Sequence, residues 1–347
     1  MKKSSRRHFF KFMMKLPLVF AAPKILYACN FEGGSSRQQV ASGSFSPSYL
    51  KLHKSGVLRE RSKALWQRME HCDLCPRDCG ANRLKGERGS CGAHADLRIA
   101  SYHPHYGEEP ELVGRGGSGT IFLSYCSLLC VFCINYDISH SGSGRIHSTS
   151  DMADMMLRLQ QRGASNINVV TPSHYVAHIL EALDIAASKG LRLPLVYNTC
   201  GWEKSDVLTA LDNVVDIYLT DFKYYQAEKA ARYSAGAYSY PEITKKAHLD
   251  MYKQVGTAQA NDKGLMVKGL MIRHLVMPNN LDDTEKIIAW IGNNLPKDTY
   301  VNIMSQYRPM FKAFDYPEIS RGITMAEYNR AEQAAIKAGL TNYRLQR

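Results

Sequence analysis

The sequence Cys126-Ser-Leu-Leu-Cys130-Val-Phe-Cys133 places three thiols within eight residues, with gaps of three and then two residues between them. Such close spacing lets three thiolates converge on a compact metal centre. A [4Fe–4S] cluster held by three thiolates keeps one iron without a protein ligand, so a small molecule can bind there and react. The alternative for an isolated stretch of this kind is three ordinary buried or disulfide-bonded cysteines. The spacing favours the metal centre.

The composition of the whole chain bounds the class of protein. A chain of 347 residues with 45% hydrophobic content can bury one large domain, which excludes a disordered or fibrous class. Seven of the nine cysteines fall in two tight groups, which favours metal ligands over a spread-out disulfide framework. Seven basic residues and no acid lie in residues 1–28, so the remainder carries only +5 of the formal charge of +12. No nucleic-acid partner is expected, because no sustained basic stripe remains.

The N-terminus has the pattern of an export address. Residues 5–11, Ser-Arg-Arg-His-Phe-Phe-Lys, match a twin-arginine signal, and residues 26–29, Leu-Tyr-Ala-Cys, resemble a lipobox whose cysteine is lipidated. The apolar stretch between them is too short and too interrupted for a transmembrane helix. We therefore assign residues 1–29 to a signal and the polar segment 30–54 to a flexible linker. These features predict a periplasmic protein with a lipid anchor to the membrane; the alternative is a cytoplasmic protein.

A second cysteine group precedes the first. Cys72-Asp-Leu-Cys75-Pro-Arg-Asp-Cys79, followed by Cys91, supplies four thiols, which suffice for a closed zinc or iron site or for an auxiliary cluster. The favoured interpretation is a small metal-binding, Cys-rich cap over residues 55–115. An electron-relay cluster and a pair of disulfides are the alternatives. Spacing alone leaves the identity of the metal open.

Apolar runs and helical patterns alternate from residue 116 to residue 347. Helices are predicted between and after six candidate strands, at 120–123, 166–170, 195–197, 214–219, 270–276 and 300–303. Six β/α units imply an α/β fold with a parallel sheet and helices outside it, organised as a partial (β/α)6 TIM-like barrel. Parallel α/β folds place their functional residues at the carboxyl ends of the strands.

Polar residues at these strand ends are the candidate site. Asp221 and Lys223 lie two apart on a strand, so both side chains point the same way, and we predict a catalytic role for the pair. His174 follows the second strand and is a candidate acid or base. Arg273 suits a carboxylate, because its guanidinium can form two parallel hydrogen bonds. Cys200 stands outside both cysteine groups and is interpreted as a small packed residue.

Several stretches together carry a resemblance to a known family. The spacing C-x3-C-x2-C with Phe132 beside the third cysteine resembles the radical S-adenosylmethionine superfamily. Glu-Glu-Pro at 108–110, Asn-Ile-Asn-Val-Val-Thr-Pro-Ser-His at 166–174, Arg-His-Leu-Val-Met-Pro at 273–278 and Ser-Gln-Tyr-Arg-Pro at 305–309 resemble the pyruvate formate-lyase-activating-enzyme-like (PflX-like) group. This resemblance runs from about residue 55 to the end of the chain.

The resemblance implies a radical SAM barrel and an oxidoreductase of the activating-enzyme type. In that family the three cysteines hold a [4Fe–4S] cluster, an electron donor reduces it, and cleavage of S-adenosyl-L-methionine yields a 5′-deoxyadenosyl radical that abstracts hydrogen from a substrate, here expected to be a peptide or protein. The residues expected to contact S-adenosyl-L-methionine are Phe132 on the adenine, Asn168, Thr171, Asn198, Thr199 and Arg273. The competing interpretation is a non-enzymatic iron–sulfur protein that transfers electrons at the membrane surface.

Overall fold

The structure is a computed structural model that describes Gln38–Gln39 and residues 45–346 of the chain. The described residues belong to one compact unit, Ser35–Arg347. The signal predicted at residues 1–29 and most of the linker predicted at 30–54 lie outside the described residues. Within the described part, no helix has the length and apolar character needed to cross a membrane.

Strands and short helices alternate along the described chain. The strands are β1 Gln38–Gln39, β2 Leu97–His105, β3 Ser118–Leu123, β4 Arg145–His147, β5 Ile167–Val170, β6 Leu195–Thr199, β7 Ile217–Asp221, β8 Gln259–Ala260, β9 Met266–Leu275, β10 Tyr300–Met304 and β11 Tyr343–Gln346. The helices are α1 Tyr49–Lys54, α2 Val57–Gln67, α3 Pro110–Val113, α4 Tyr136–Ser139, α5 Thr149–Gln161, α6 Val176–Ser188, α7 Ser205–Leu211, α8 Ala227–Tyr233, α9 Tyr240–Val255, α10 Leu281–Asn294 and α11 Met325–Lys337.

A run of parallel strands forms the centre of the sheet. Neighbouring strands in the order β3-β5-β6-β7-β9-β10-β11 all pair in parallel. The six predicted strands are all present in this run, and helices separate them along the chain, so the mixed α/β class is confirmed. Parallel pairing brings the carboxyl ends of these strands to one edge. Closure of the strands into a partial barrel stays a prediction.

Two strands at one edge of the sheet have no counterpart among the predicted strands. β2 pairs antiparallel with β3, and β4 pairs antiparallel with β2. The boundary placed at residues 115/116 between a cap and a barrel therefore runs between two strands of one sheet. The alternation of apolar and polar residues in β2 ends at Ile99, and His103, Pro104 and His105 give the second half of the strand the composition of a loop.

The end of the predicted linker is a folded helix. The side chain of Tyr49 in α1 is fully buried, and its hydroxyl donates a hydrogen bond to the carbonyl of Leu193 at 2.9 Å. The backbone N–H of Ser48 donates to Asp216 Oδ1 at 2.9 Å. Helices α1 and α2 pack on α6, which is buried along most of its length. Residues 49–54 are therefore part of the fold because they cover an apolar helix.

Helix α5 shows how the local sequence sets an element. Ser148 forms a capping box, in which its hydroxyl accepts from the N–H of Asp151 at 3.0 Å and Asp151 accepts from the N–H of Ser148 at 2.8 Å. A cap of this kind contributes about 1 kcal/mol to helix stability. The buried side chains of the helix follow helical spacing at Met152, Met155, Met156 and Leu159.

Candidate functional site

A cavity of about 600 Å³ lies at the carboxyl ends of the parallel strands. A cavity of this volume is in the range of small-molecule sites, about 300–1,000 Å³. Its wall is formed by the cysteine stretch and by the ends of β5, β6, β7, β9 and β10. The predicted site residues on the wall are Cys126, Cys130, Phe132, Cys133, Thr171, Asn198, Thr199, Asp221, Lys223 and Arg273.

The three cysteines of the wall, Cys126, Cys130 and Cys133, form what we call the cysteine triad. Each triad sulfur accepts a hydrogen bond from the protein. The N–H of Leu128 donates to the sulfur of Cys126 at 3.3 Å. The hydroxyls of Ser234 and Ser139 donate to the sulfurs of Cys130 and Cys133, each at 3.2 Å. Donors aimed at sulfur stabilise the thiolate form and tune the potential of an iron–sulfur cluster.

Ionisation of the three triad thiols is unfavourable unless a metal centre supplies positive charge. Burial, and then the neighbouring thiols Cys130 and Cys133, raise the pKa of Cys126 to about 12. Burial also raises the pKa of Cys130, although the ammonium of Lys223 opposes that shift. A metal centre would supply the positive charge that three adjacent thiolates need.

The arrangement of the thiols fits a cluster better than a single ion. All eight cysteines in the described part of the chain are free thiols. In residues 45–346, no group of three or more His, Cys, Asp or Glu side chains is placed to hold one metal ion. A mononuclear site requires its sulfurs to lie about 2.3 Å from the same ion. An iron–sulfur cluster spreads its thiolates over several irons, so its thiolates do not have to converge on one ion.

Phe132 forms an apolar part of the cavity wall. Its ring is buried and packs edge-on against two tyrosines, Tyr224 at 6.5 Å and Tyr307 at 5.9 Å between ring centroids. Contacts of this geometry hold the ring in place. Phe132 is therefore a fixed flat surface on the same wall as the triad.

Asp221 and Lys223 form an ion pair on the cavity wall. Lys223 Nζ lies 2.7 Å from Asp221 Oδ2, so the two side chains point the same way, as predicted. Burial alone would lower the pKa of Lys223, but the charges of Asp221 and of the Cys130 thiolate outweigh it, so the pKa lies above its ordinary value. The ammonium therefore keeps its proton and acts as a fixed positive charge beside the triad.

Arg273 is occupied by two carboxylates of the same chain. Its Nε donates to Glu109 Oε1 at 2.8 Å and its Nη2 to Glu109 Oε2 at 2.5 Å, and Nη2 also donates to Glu108. Asn302 Nδ2 donates to Glu109 Oε1 at 2.7 Å as well. The sequence predicts a partner for Arg273 in the carboxylate of a ligand. The structure instead satisfies the guanidinium within the protein.

Two predicted residues do not line the cavity. His174 is buried, its Nε2 donates to the carbonyl of Ser124 at 2.8 Å, and burial followed by the charge of Arg83 lowers its pKa to about 3. A histidine that stays neutral away from the cavity supports the fold and cannot serve as the predicted acid or base. Asn168 is also fully buried and donates from Nδ2 to Glu108 at 3.1 Å, so it positions that carboxylate and not a ligand.

Thr171, Asn198 and Thr199 lie together on the wall, because β5 and β6 pair in parallel. The N–H of Thr171 donates to the carbonyl of Asn198 at 2.9 Å, and Thr171 has a φ of 59°, which turns the chain sharply at the end of β5. The hydroxyl of Thr199 donates to Glu203 at 2.5 Å, so it is already engaged. Thr171 and Asn198 are thus the two polar groups of this set that remain available to a ligand.

Four further cysteines, Cys72, Cys75, Cys79 and Cys91, form what we call the cysteine quartet. The sulfurs of Cys91 and Cys79 both lie beside Gly89: a Cβ added at this glycine would be 3.4 Å from the first and 3.6 Å from the second. The thiol of Cys79 donates to the carbonyl of Cys72 at 3.8 Å. Burial, and then the charges of Cys91 and Cys72 among its neighbours, raise the pKa of Cys75 above its ordinary value. The four thiols therefore form one group, although they are spread over 20 residues.

Several wall residues are not among the candidate site residues of the sequence analysis. Glu108 lines the cavity, yet in sequence it reads as part of a polar loop. Gln306 and Arg308 also line the cavity, from the loop after β10. Arg308 forms no ion pair with any residue in the described part of the chain. The two adjacent acids before Pro110 indicate a partner cation elsewhere in the chain, because buried carboxylates require one.

Comparison with known proteins gives a family but no activity. No protein-family model matches the chain. The uncharacterized protein MJ0674 of Methanocaldococcus jannaschii is 34% identical over 304 residues, which cover 84% of this chain and 81% of the relative. The chain belongs to the family of MJ0674. Because this membership carries no reaction with it, the function of this MJ0674-family protein has to be argued from the cavity and its residues.

Solved structures of Streptococcus suis SuiB show a weaker likeness. The crystal structure of SuiB bound to S-adenosylmethionine has a TM-score of 0.45 and 11% identity, covering 64% of this chain and 48% of SuiB. The crystal structure of SuiB bound to precursor peptide SuiA has a TM-score of 0.43 and 10% identity, with coverages of 64% and 46%. The chain thus spans about half the length of SuiB, and at these scores the likeness carries no argument about function.

Proposed function

We propose that this protein is a radical S-adenosylmethionine enzyme whose cluster is held by Cys126, Cys130 and Cys133. The observation that carries the proposal is the placement of all three thiols on the wall of one cavity of about 600 Å³, with Phe132 between the second and third cysteines. The donor set fits a [4Fe–4S] cluster, because three thiolates would hold it and leave one iron without a protein ligand. When bound, the cluster would supply one electron for the cleavage of S-adenosylmethionine to methionine and a 5′-deoxyadenosyl radical.

The residues of the chain bind and orient the ligand. Phe132 offers its fixed ring to the adenine, since a base gains about 1–3 kcal/mol by stacking on an aromatic side chain. Thr171 and Asn198 offer polar groups on the same wall. Lys223, held by Asp221, and Arg308 are the cations suited to the methionine carboxylate, because Arg273 is occupied by its own carboxylates.

The cavity argues for an enzyme over an electron carrier. A protein that only transfers electrons has no need of a cavity of about 600 Å³ beside its cluster. The wall carries a carboxylate, the cations of Lys223 and Arg308 and the apolar ring of Phe132. This combination suits a zwitterionic ligand with an aromatic base. A low-potential one-electron donor is the partner that this chemistry requires.

The rim of the cavity supports a peptide or protein as the substrate, in keeping with an activating-enzyme type of reaction. Ile134 lies on the wall with 59% of its surface exposed. Nearby along the chain, the ring of Tyr136 stacks on Phe311 with centroids 5.0 Å apart. Exposed apolar residues around a cavity mark a surface that binds another molecule. The export signal and lipid anchor at residues 1–29 remain part of the proposal, which places the enzyme in the periplasm.

Formation of 5′-deoxyadenosine tests the proposed function. The protein is reconstituted anaerobically with ferrous iron and sulfide, reduced with a low-potential reductant and incubated with S-adenosylmethionine. We expect 5′-deoxyadenosine from the wild type and none from Cys126→Ala, which removes one triad ligand. Cys200→Ala is the matched control, since Cys200 also lines the cavity but belongs to neither cysteine group. Absence of product from a wild-type protein that holds its cluster would refute the proposal.

A further inference from the structure

Arg77 of the quartet segment reaches the stretch that carries the triad. It lies between Cys75 and Cys79 in the sequence. Its Nε donates to the carbonyl of Ser127 at 2.8 Å, and its Nη2 donates to the carbonyl of Leu128 at 3.2 Å. Both acceptors lie between the first and second cysteines of the triad. One side chain of the quartet segment therefore fixes the backbone of the triad.

The same guanidinium holds the residue that donates to a triad sulfur. Its Nη2 donates to the carbonyl of Ser234 at 3.2 Å, and its Nη1 to the carbonyl of Ala235 at 2.6 Å. The hydroxyl of Ser234 in turn donates to the sulfur of Cys130. The guanidinium lies 4.9 Å from the ring centroid of Trp202, which supports its flat face. Four carbonyl acceptors around one side chain require the five-donor fork of arginine, which lysine lacks.

Tyr125 makes a second connection between the two groups. It directly precedes the first triad cysteine and has a φ of 72°, in the region that favours glycine. A Cβ added at Gly92, the residue after Cys91, would lie 2.8 Å from Tyr125 Cδ1. A Cβ added at Gly142 would lie 2.2 Å from Tyr125 Cε1. The ring is thus clamped between two glycines, one of them adjacent to a quartet cysteine.

We propose that the cysteine quartet holds an iron–sulfur cluster and that its occupancy sets the geometry of the triad through Arg77 and Tyr125. Metal binding fixes the thiols of the quartet, and with them the segment from which Arg77 extends. Groups that orient ligands and donate to sulfur tune the potential of a cluster, so Arg77 is a positioning residue for the triad. This inference rests on the proposed function, because it requires a cluster at the triad.

The test compares two arginines that both bind backbone carbonyls. Arg77→Lys keeps the charge and removes the fork. Arg61→Lys is the matched control, because Arg61 donates to the carbonyls of Ala210 and Asp212, at the end of α7. Each full-length protein is reconstituted anaerobically with ferrous iron and sulfide. The metal content per chain, the EPR g values of the reduced triad cluster and its midpoint potential are measured, and Cys126→Ser identifies the triad signal.

We expect Arg77→Lys to change the reduction equilibrium constant of the triad cluster at least tenfold, about 59 mV for one electron, with altered g values. Arg61→Lys should leave both unchanged. A second variant, Cys79→Ser, removes a quartet ligand that is only partly buried. It should lower the metal content per chain and shift the same EPR signal, and it carries the test if Arg77→Lys does not fold.

Several results would overturn the inference. The first is a triad cluster in Arg77→Lys that has the midpoint potential and g values of the wild type. Arg77 would then have only a structural role, even if the variant melts at a lower temperature. Another is an unchanged metal content or an unchanged triad signal in Cys79→Ser. A wild-type protein that holds no iron at the triad would instead refute the proposed function. A normal triad cluster that neither variant alters would refute only the coupling.

Discussion

Replacement of Arg273 by methionine tests whether this arginine serves the fold or a ligand. The side chains of Glu108 and Glu109 are only 7% and 1% exposed, and Arg273 is the cation that pairs with both of them. The substitution would leave two buried carboxylates without a cation. Breaking a buried ion pair by removal of one partner costs about 3–5 kcal/mol. We expect a loss of this size in the free energy of unfolding at neutral pH.

Urea unfolding followed by circular dichroism measures this loss. Arg330→Met is the matched control, since Arg330 and Glu285 form an exposed pair with side chains 58% and 42% exposed. An exposed pair contributes about 0–1 kcal/mol, so the control should unfold almost as the wild type does. Adding Glu108→Gln and Glu109→Gln to Arg273→Met should restore most of the stability. If Arg273→Met unfolds like the wild type but no longer binds S-adenosylmethionine, Arg273 is a ligand-binding residue and its assignment to the fold is wrong.

Three further predictions concern other parts of the chain. Burial raises the pKa of Glu203 from 4.5 to about 7. Between these two pH values the folded protein binds one proton more than the unfolded chain, so its free energy of unfolding falls as pH rises from 4.5 to 7. Glu203→Gln should remove this fall of about 3 kcal/mol, measured by urea unfolding at several pH values in that range. Phe132→Ala should weaken the binding of S-adenosylmethionine about tenfold in equilibrium dialysis, because stacking on the adenine is lost. Cys29→Ser should abolish the incorporation of labelled palmitate, because the lipobox cysteine is the predicted acceptor.

Each of these three has a contradicting outcome. A pH dependence of unfolding that is the same in Glu203→Gln and in the wild type would assign the titration to another group. Equal affinities of Phe132→Ala and the wild type for S-adenosylmethionine would place the adenine elsewhere in the cavity. Equal palmitate incorporation by Cys29→Ser and the wild type would show that Cys29 is not the acceptor.

The parallel part of the fold could be predicted because it depends on local patterns. Short apolar runs such as β5 and β6 are buried on both faces and alternate with amphipathic helices, and both patterns are visible in the sequence. The position of the triad thiols on one cavity wall could be predicted because the three cysteines are close in sequence. β2 could not be predicted, because Pro104 and the two histidines beside it interrupt the strand pattern of its second half.

The roles of Arg273, His174 and Asn168 could not be predicted, because long-range contacts decide them. Arg273 meets Glu109 across 164 residues of sequence, and the backbone carbonyl that His174 binds lies 50 residues away. A strand end specifies which residues approach the cavity edge. It does not specify which side chains reach the cavity and which are satisfied behind it, because that depends on partners from other elements.

We propose that the cysteine triad holds a cluster in which one iron has no protein ligand. The EPR spectrum of the reduced, reconstituted protein, recorded before and after S-adenosylmethionine is added, tests this proposal. We predict that the ligand changes the g values of the cluster signal that disappears in Cys126→Ser, because it binds the iron that lacks a protein thiolate. A triad signal that S-adenosylmethionine leaves unchanged at saturating concentration would contradict the claim.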